Sequence, residues 1–303
     1  MLAVPRDLRG AYYEAAARCL AAIHRVRWQE VPGLRSALRP GKGATDAGLG
    51  SKKALVKAGY YERQLSRLVS VSSTQELDAP PVPGLHELAR RLGAQLGGLE
   101  GECLVHGDFK LDNLVFKRRP QEGTHRANGG GGGGDGKAVR FEPEVVAVLD
   151  WEMCALGHPI ADLANLGMAY FLPRDGLAVV ADQGGARPGG AQASGALGGL
   201  SGLDLAAHGI PQLGELAAAY AGTYPPHPKW ESGAFLAFLF FKNAVITQGV
   251  AARFARGVAS SPLAHLVGKL SPLLACTATR ILDQGLPKRH GGGESESSGG
   301  GGG

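Results

Sequence analysis

Cysteine is scarce in this chain of 303 residues, which contains four. No two of them form a C-x-x-C pair, so the sequence argues against a disulfide framework and against a zinc site built from thiolates. Long apolar runs are lacking as well. The most apolar run covers only residues 234–241 and is followed by Lys242, whereas a membrane-spanning helix needs about 20 apolar residues. We therefore expect no membrane association and a cytoplasmic location, with an organelle as the alternative.

Charge of one sign is not concentrated anywhere along the chain. Lys and Arg total 32 against 27 Asp and Glu, and only 6% of residues are aromatic. Without a basic run or an interleaved aromatic stripe, we expect no nucleic-acid partner.

Glycine, in contrast, is abundant, with 48 residues. Its clusters lie in 118–143, 182–202 and 288–303, which we expect not to pack. The sequence thus predicts one domain over 1–287 with two flexible insertions, followed by a disordered Gly/Ser tail.

Apolar periodicity predicts a mostly helical chain. A helical stripe runs from Leu8 to Val26, with Asp7 placed as its N-cap. Short apolar runs typical of strands lie at 103–105, 114–116 and 145–149, and residues 40–54 have the composition of a loop. Further helices are predicted near 55–70, 84–97, 159–172, 212–223, 231–256 and 262–284. The predicted fold class is α+β, mostly α, with a small strand cluster.

Polar side chains stand where these predicted strands end. Asp108 and Asn113 are five positions apart, which allows the intervening loop to turn back so that both side chains face one cavity. Asp150, after the third apolar run, can then bring a carboxylate beside the amide oxygen of Asn113. One carboxylate and one amide oxygen are a typical protein contribution to a Mg²⁺ site. Asp108, off the metal, is placed to accept a proton from an attacking hydroxyl.

The strings HGDFKLDN and LDWE resemble the catalytic loop and the metal-binding motif of the aminoglycoside phosphotransferase/choline kinase superfamily, which is protein-kinase-like. Protein kinases carry H-R-D-x-x-x-x-N and D-F-G with the same division of labour. The continuation GHPIADLANL is also similar to the family. The strings FFK and QGV resemble a late helix of the branch fused to acyl-CoA dehydrogenases. The resemblance covers roughly Leu8 to Gln284 and implies the large C-terminal lobe of a kinase-like fold.

The resemblance implies an ATP- and Mg²⁺-dependent phosphotransferase acting on a small-molecule hydroxyl, of hydroxyacyl type by analogy with the fused branch. Asp108 is then similar to the catalytic base, and Lys110 stands where a cation near the transferred phosphate is expected. Asn113 and Asp150 correspond to the Mg²⁺ ligands and, together with Lys110, to the contacts with MgATP.

Three further residues receive supporting roles from the resemblance. Glu152 would assist the metal through a water molecule, and His106 and Asp162 would hold the catalytic loop by hydrogen bonds. Glu152 and Lys110 equally suit solvated surface groups, and Asp162 also suits a carboxylate at the start of a helix.

The chain departs from the family pattern at its beginning. Few residues precede the first predicted helix, and no strand–loop–strand with a buried lysine is predicted before His106. We therefore expect the N-terminal lobe to be absent and activity to be impaired. Two alternatives to the phosphotransferase remain open. The first is a non-catalytic, pseudokinase-like interaction module whose protein partner covers the exposed cleft face. The second is a metal-dependent hydrolase with His106, Asp108 and Asp150 as ligands.

Overall fold

Helices dominate the structure, a computed structural model that describes residues 4–34, 59–99, 103–120, 141–174, 198–224 and 228–286. Within these ranges the helices are α1 (Arg6–His24), α2 (Tyr60–Gln75), α3 (Leu85–Leu96), α4 (Ile160–Gly167), α5 (Leu213–Ala221), α6 (Ala234–Ala255), α7 (Ala264–Gly268) and α8 (Ser271–Gln284). The strands are β1 (Cys103–Val105), β2 (Leu114–Pro120), β3 (Phe141–Val148) and β4 (Ala155–Gly157). The predicted α+β, mostly α class is confirmed.

Helix α6 forms the centre of the core. It packs against α2, α3, α4, α7 and α8, and its phenylalanines Phe235, Phe240 and Phe241 are completely buried. Among the described residues, α6 is the one helix long and apolar enough to cross a membrane, and 72% of its most apolar window is buried inside the structure. Packing against five other helices therefore accounts for its hydrophobicity.

The strands form two separate antiparallel pairs. β1 pairs with β4 in the register Cys103↔Gly157, and β2 pairs with β3 in the register Leu114↔Val148, with a bulge after Val115. The loop between β1 and β2 therefore lies next to the segment that joins β3 to β4. The predicted strand positions are confirmed, although they form two pairs and β4 was not predicted.

The β2–β3 hairpin is longer than the sequence predicts. It continues through Arg118↔Pro143 to Pro120↔Phe141, inside a stretch expected not to pack. An antiparallel ladder is held by backbone hydrogen bonds and needs no apolar side chains to continue. Residues 198–202 of the second insertion are also ordered, with a bridge between Pro173 and Ser201. Residues 121–140 and 182–197, the loop 40–54 and the tail 288–303 lie outside the described residues.

The structure corrects two of the predicted helix boundaries. The N-cap of α1 is Pro5, and Asp7 lies inside the first turn, where its carboxylate faces the positive end of the helix dipole. The predicted helix over 262–284 is two helices, α7 and α8. Pro272, at the start of α8, has no N–H for a helical hydrogen bond, so the chain restarts the helix there.

Candidate active site

A tight turn follows β1 and depends on glycine. Gly107 has φ +85°, and a Cβ at this position would lie 2.4 Å from the backbone oxygen of Met153. Left-handed backbone disfavours any side chain, and the contact with Met153 adds a steric clash. A glycine between His106 and Asp108 therefore lets the loop approach the β3–β4 segment closely.

We expect Gly107→Ala to destabilise the protein more than Gly84→Ala. Gly84 has a similar φ of +71° but nothing within 4 Å of the added Cβ, so this control isolates backbone strain of about 1–2 kcal/mol. Overpacking at Gly107 adds about 1–3 kcal/mol. Urea unfolding of both variants measures the difference, and equal losses would contradict the close packing of this loop.

A buried carboxylate holds the turn from behind. Asp162, at the start of α4, has no exposed surface. It accepts hydrogen bonds from the backbone N–H of His106 at 2.6 Å and from that of Gly107 at 2.8 Å. Its Oδ2 also lies 3.3 Å from Nε2 of the buried His24, whose Nδ1 is 2.8 Å from the Tyr220 hydroxyl. Several donors thus compensate the buried negative charge and fix the backbone of the loop.

Both ring nitrogens of His106 are already engaged. Nε2 donates to the backbone oxygen of Leu149 at 2.8 Å, and Nδ1 accepts from the backbone N–H of Asp108 at 3.3 Å. The ring packs on Trp151 with 4.7 Å between centroids. His106 therefore links the loop between β1 and β2 to the end of β3. It has no nitrogen free for a metal, and the described residues hold no group of three His, Cys, Asp or Glu that could bind one. The hydrolase alternative thus gains no support.

Asp108 and Asn113, five positions apart in sequence, meet in the structure. The side-chain nitrogen of Asn113 donates to the backbone oxygen of Asp108 at 2.9 Å and to its Oδ2 at 3.3 Å. Lys110 Nζ donates to the same Oδ2 at 2.7 Å. These contacts leave Oδ1 of Asp108 as the atom that can accept a proton, and they leave the amide oxygen of Asn113 as a possible ligand.

Asp150 is brought beside Asn113 by the backbone. The N–H of Leu149 donates to the backbone oxygen of Asn113 at 2.8 Å. Asp150 itself has φ +69°, the one non-glycine residue with a positive φ among the described residues. A left-handed residue costs about 1–2 kcal/mol, and such strain is concentrated at functional sites.

Excess negative charge collects at this point. The Asp150 carboxylate, which is within hydrogen-bonding reach, raises the pKa of Glu152, and the negative charges of Asp150 and Asp108 raise it further. A carboxyl group whose pKa is raised by neighbouring carboxylates lies close to them. Hard oxygen ligands with surplus negative charge are what a divalent cation such as Mg²⁺ requires.

Two residues of this site were missed by the sequence reasoning. Asn165 Nδ2 and Lys242 Nζ both donate to the backbone oxygen of Gly107, at 3.2 and 3.1 Å. Lys242 interrupts the most apolar stretch of the chain, and a charge inside a buried helix was the signal that could have drawn attention to it. Asn165 carried no such signal, because an asparagine near the end of a helix is unremarkable.

Comparison with known proteins identifies relatives of this chain. Residues 3–124 match the phosphotransferase enzyme family (APH). Acyl-CoA dehydrogenase family member 11 of Rattus norvegicus is 32% identical over 232 residues, which are 74% of this chain and 23% of that protein. The human protein of the same name is 28% identical over 277 residues, 90% of this chain and 27% of that protein. The chain thus spans about a quarter of the length of these curated relatives.

A solved structure agrees with the family match. A "putative aminoglycoside phosphotransferase" from Ralstonia eutropha superposes with a TM-score of 0.61 and 26% sequence identity, covering 94% of this chain and 68% of that one. The expected resemblance, to aminoglycoside phosphotransferases and to the branch fused to acyl-CoA dehydrogenases, is confirmed.

Proposed function

We propose that this chain, whose residues 3–124 match the phosphotransferase enzyme family and whose fold is similar to that of a putative aminoglycoside phosphotransferase, transfers the γ-phosphoryl group of ATP to a hydroxyl group of a small molecule, with Mg²⁺ bound to the nucleotide. The observation that supports the proposal is that Asn113 is hydrogen-bonded to Asp108 and that the backbone of Asn113 accepts a hydrogen bond from Leu149, the residue before Asp150. In phosphoryl transfer the protein contributes mainly positioning and charge stabilisation, and a group of polar residues held in this way suits that task.

The residues present fit a magnesium site. The amide oxygen of Asn113 and the carboxylate of Asp150 are the ligands we assign, and Glu152 would hold a metal-bound water. The hydrogen bond with Asp150 and the negative charges of Asp150 and Asp108 raise the pKa of Glu152, and a cation bound here would offset this negative charge. Bound Mg²⁺ would offset the negative charge of the phosphate oxygens. Ligation by one carboxylate and one amide suits Mg²⁺, because this ion keeps several water molecules.

Asp108 is assigned as the group that accepts the proton of the attacking hydroxyl. Its Oδ2 is held by Lys110 and Asn113, which orients Oδ1 for this task. Lys110 Nζ, about half exposed, lies close enough to stabilise charge on the transferred phosphoryl group. Asp162 and His106 would support this geometry through the loop backbone rather than through contact with substrate.

The acceptor is proposed to be a small alcohol of hydroxyacyl type. The relatives named acyl-CoA dehydrogenase family members favour an acyl-bearing acceptor. A cleft of about 660 Å³ beside the catalytic loop, between α2 and α6, has the volume of a small-molecule site.

One observation favours a second candidate function, a non-catalytic interaction module. Val115 and Ala147 are register partners on the hairpin and Leu149 lies two residues further, so all three share one face. Val115 is 41% and Leu149 50% exposed. Such an apolar face beside the carboxylates suits contact with a nucleotide base, but it equally suits a protein partner.

Phosphorus NMR distinguishes the two candidates. We expect protein incubated with MgATP and a panel of small hydroxy compounds to produce ADP and a phosphate monoester in equal amounts. Release of inorganic phosphate alone would contradict transfer to an acceptor. A folded protein that leaves ATP unchanged with every alcohol would favour the interaction module.

A further inference from the structure

The cleft beside the catalytic loop is lined by both apolar and charged side chains. Leu68 and Val71 on α2 line it together with Leu239 and Val245 on α6. These apolar walls fit an alkyl chain, since burying apolar surface is favourable. Gly107, which directly precedes the candidate base Asp108, belongs to the same lining.

Its charged lining is predominantly positive. Arg67, Lys242 and Arg253 contribute cations, and Glu152, at the end near the candidate metal site, contributes a carboxylate. Within the described part of the chain, neither Arg67 nor Arg253 forms an ion pair with a carboxylate. A cleft lined by cations of which two have no acidic partner attracts anions.

Of the three cations that line the cleft, Lys242 forms a hydrogen bond with the loop that carries Asp108. Its Nζ donates to the Gly107 oxygen at 3.1 Å, and this hydrogen bond uses one of the three N–H donors of the ammonium group. The side chain is half-buried. Desolvation lowers the pKa of Lys242, against an opposing effect of Asp108 and Asp162, and the positive charge of Arg67 lowers it further. An anion bound in the cleft would favour the charged form of Lys242 and so oppose both effects.

From this geometry we propose that Lys242 determines acceptor specificity: it selects hydroxy compounds that carry a carboxylate and positions their hydroxyl toward Asp108. The inference rests on the proposed function for the identity of the ligand as the acceptor. A carboxylate on Lys242, supported by Arg67, would leave the alkyl chain against the apolar walls. An acceptor that carries an ammonium group would meet the positive lining and be disfavoured.

A purely structural role for Lys242 makes a different prediction. The residue also anchors Gly107, and Asn165 donates to the same oxygen. If anchoring Gly107 were its whole contribution, replacing Lys242 would weaken the binding of every acceptor equally. A role in selection instead changes the ratio between acceptors of different charge and leaves the binding of neutral compounds nearly constant.

Binding of three compounds of matched length tests the proposal. The probes are 5-hydroxypentanoate, its amide and 5-aminopentan-1-ol, and ligand-observed NMR titration gives the dissociation constant of each without requiring turnover. Wild type is expected to bind the carboxylate at least tenfold more tightly than the amide, and the amino alcohol most weakly. Lys242→Met, which keeps the length and removes the charge, should reduce the tenfold preference to twofold or less. Lys242→Arg should retain it.

The outcomes separate this inference from the proposed function. An unchanged preference in Lys242→Met, an equal loss for all three compounds, or no binding of any compound to wild type would overturn the role of Lys242. If wild type binds the carboxylate selectively, Lys242→Met loses that selectivity, and no phosphate ester forms with MgATP, then the selection stands and the proposed phosphotransferase activity fails.

Discussion

Replacing Asp108 with asparagine is expected to lower kcat for phosphoryl transfer by about 10²–10⁴-fold, the usual contribution of a general base. The amide is nearly isosteric with the carboxylate, but its oxygen is a far weaker proton acceptor. The side chain is 35% exposed and lies on the surface of the loop, so the fold should not depend on its charge. The measurement is ADP release in the presence of a hydroxy acceptor, with circular dichroism to verify folding.

Asp112→Asn is the matched control, because Asp112 is exposed on the same loop. Its kcat is expected to stay within about twofold of wild type, since the side chain is exposed and has no role assigned in the reaction, and substitutions of exposed side chains usually have small effects. A kcat of Asp108→Asn within threefold of wild type would contradict the assignment of Asp108 as the base. A large loss in both variants would attribute the effect to the overall charge of the loop.

The largest expected effect on stability follows from Asp162→Ala. The substitution leaves the buried N–H groups of His106 and Gly107 without the acceptor that they now share. Each unsatisfied buried donor costs about 1–3 kcal/mol, so the free energy of unfolding should fall by about 2–6 kcal/mol. His24 would lose its carboxylate contact at the same time. Denaturation in urea measures the change.

Two further variants keep this prediction testable if Asp162→Ala does not fold. Asp162→Asn preserves the shape and one acceptor oxygen, and it should lose less stability than the alanine variant. Asp283→Ala removes an exposed partner of Arg91 and should cost no more than about 1 kcal/mol. A loss below 1 kcal/mol for Asp162→Ala would show that the catalytic loop does not depend on this carboxylate.

Local pattern was enough to predict the elements that carry the site. The apolar runs before His106 and after Asn113 predicted β1 and the start of β2, since strand propensity is expressed within a few residues. The spacing of Asp108 and Asn113 predicted that their side chains meet, and the structure places them in hydrogen-bonding contact. A five-residue separation in a tight loop restricts the geometry strongly, so sequence is informative there.

The contacts that depend on distant residues could not be predicted in this way. Lys242 reaches Gly107 across 135 positions, and His24 reaches Asp162 across 138. Such pairs are set by how α1 and α6 pack in the core, which no local pattern encodes. The positive φ of Asp150 was equally hidden, because only a few per cent of non-glycine residues adopt a left-handed backbone.

Calorimetric titration with MgATP tests the central claim most directly, namely that Asn113 and Asp150 together bind the metal of the nucleotide. The comparison uses wild type, Asp150→Ala and the control Asp204→Ala, which removes an exposed carboxylate bonded to the backbone of Ala207. The account predicts measurable binding in wild type and in Asp204→Ala, and a loss of at least tenfold in affinity in Asp150→Ala. Equal heats and affinities for wild type and Asp150→Ala would contradict it.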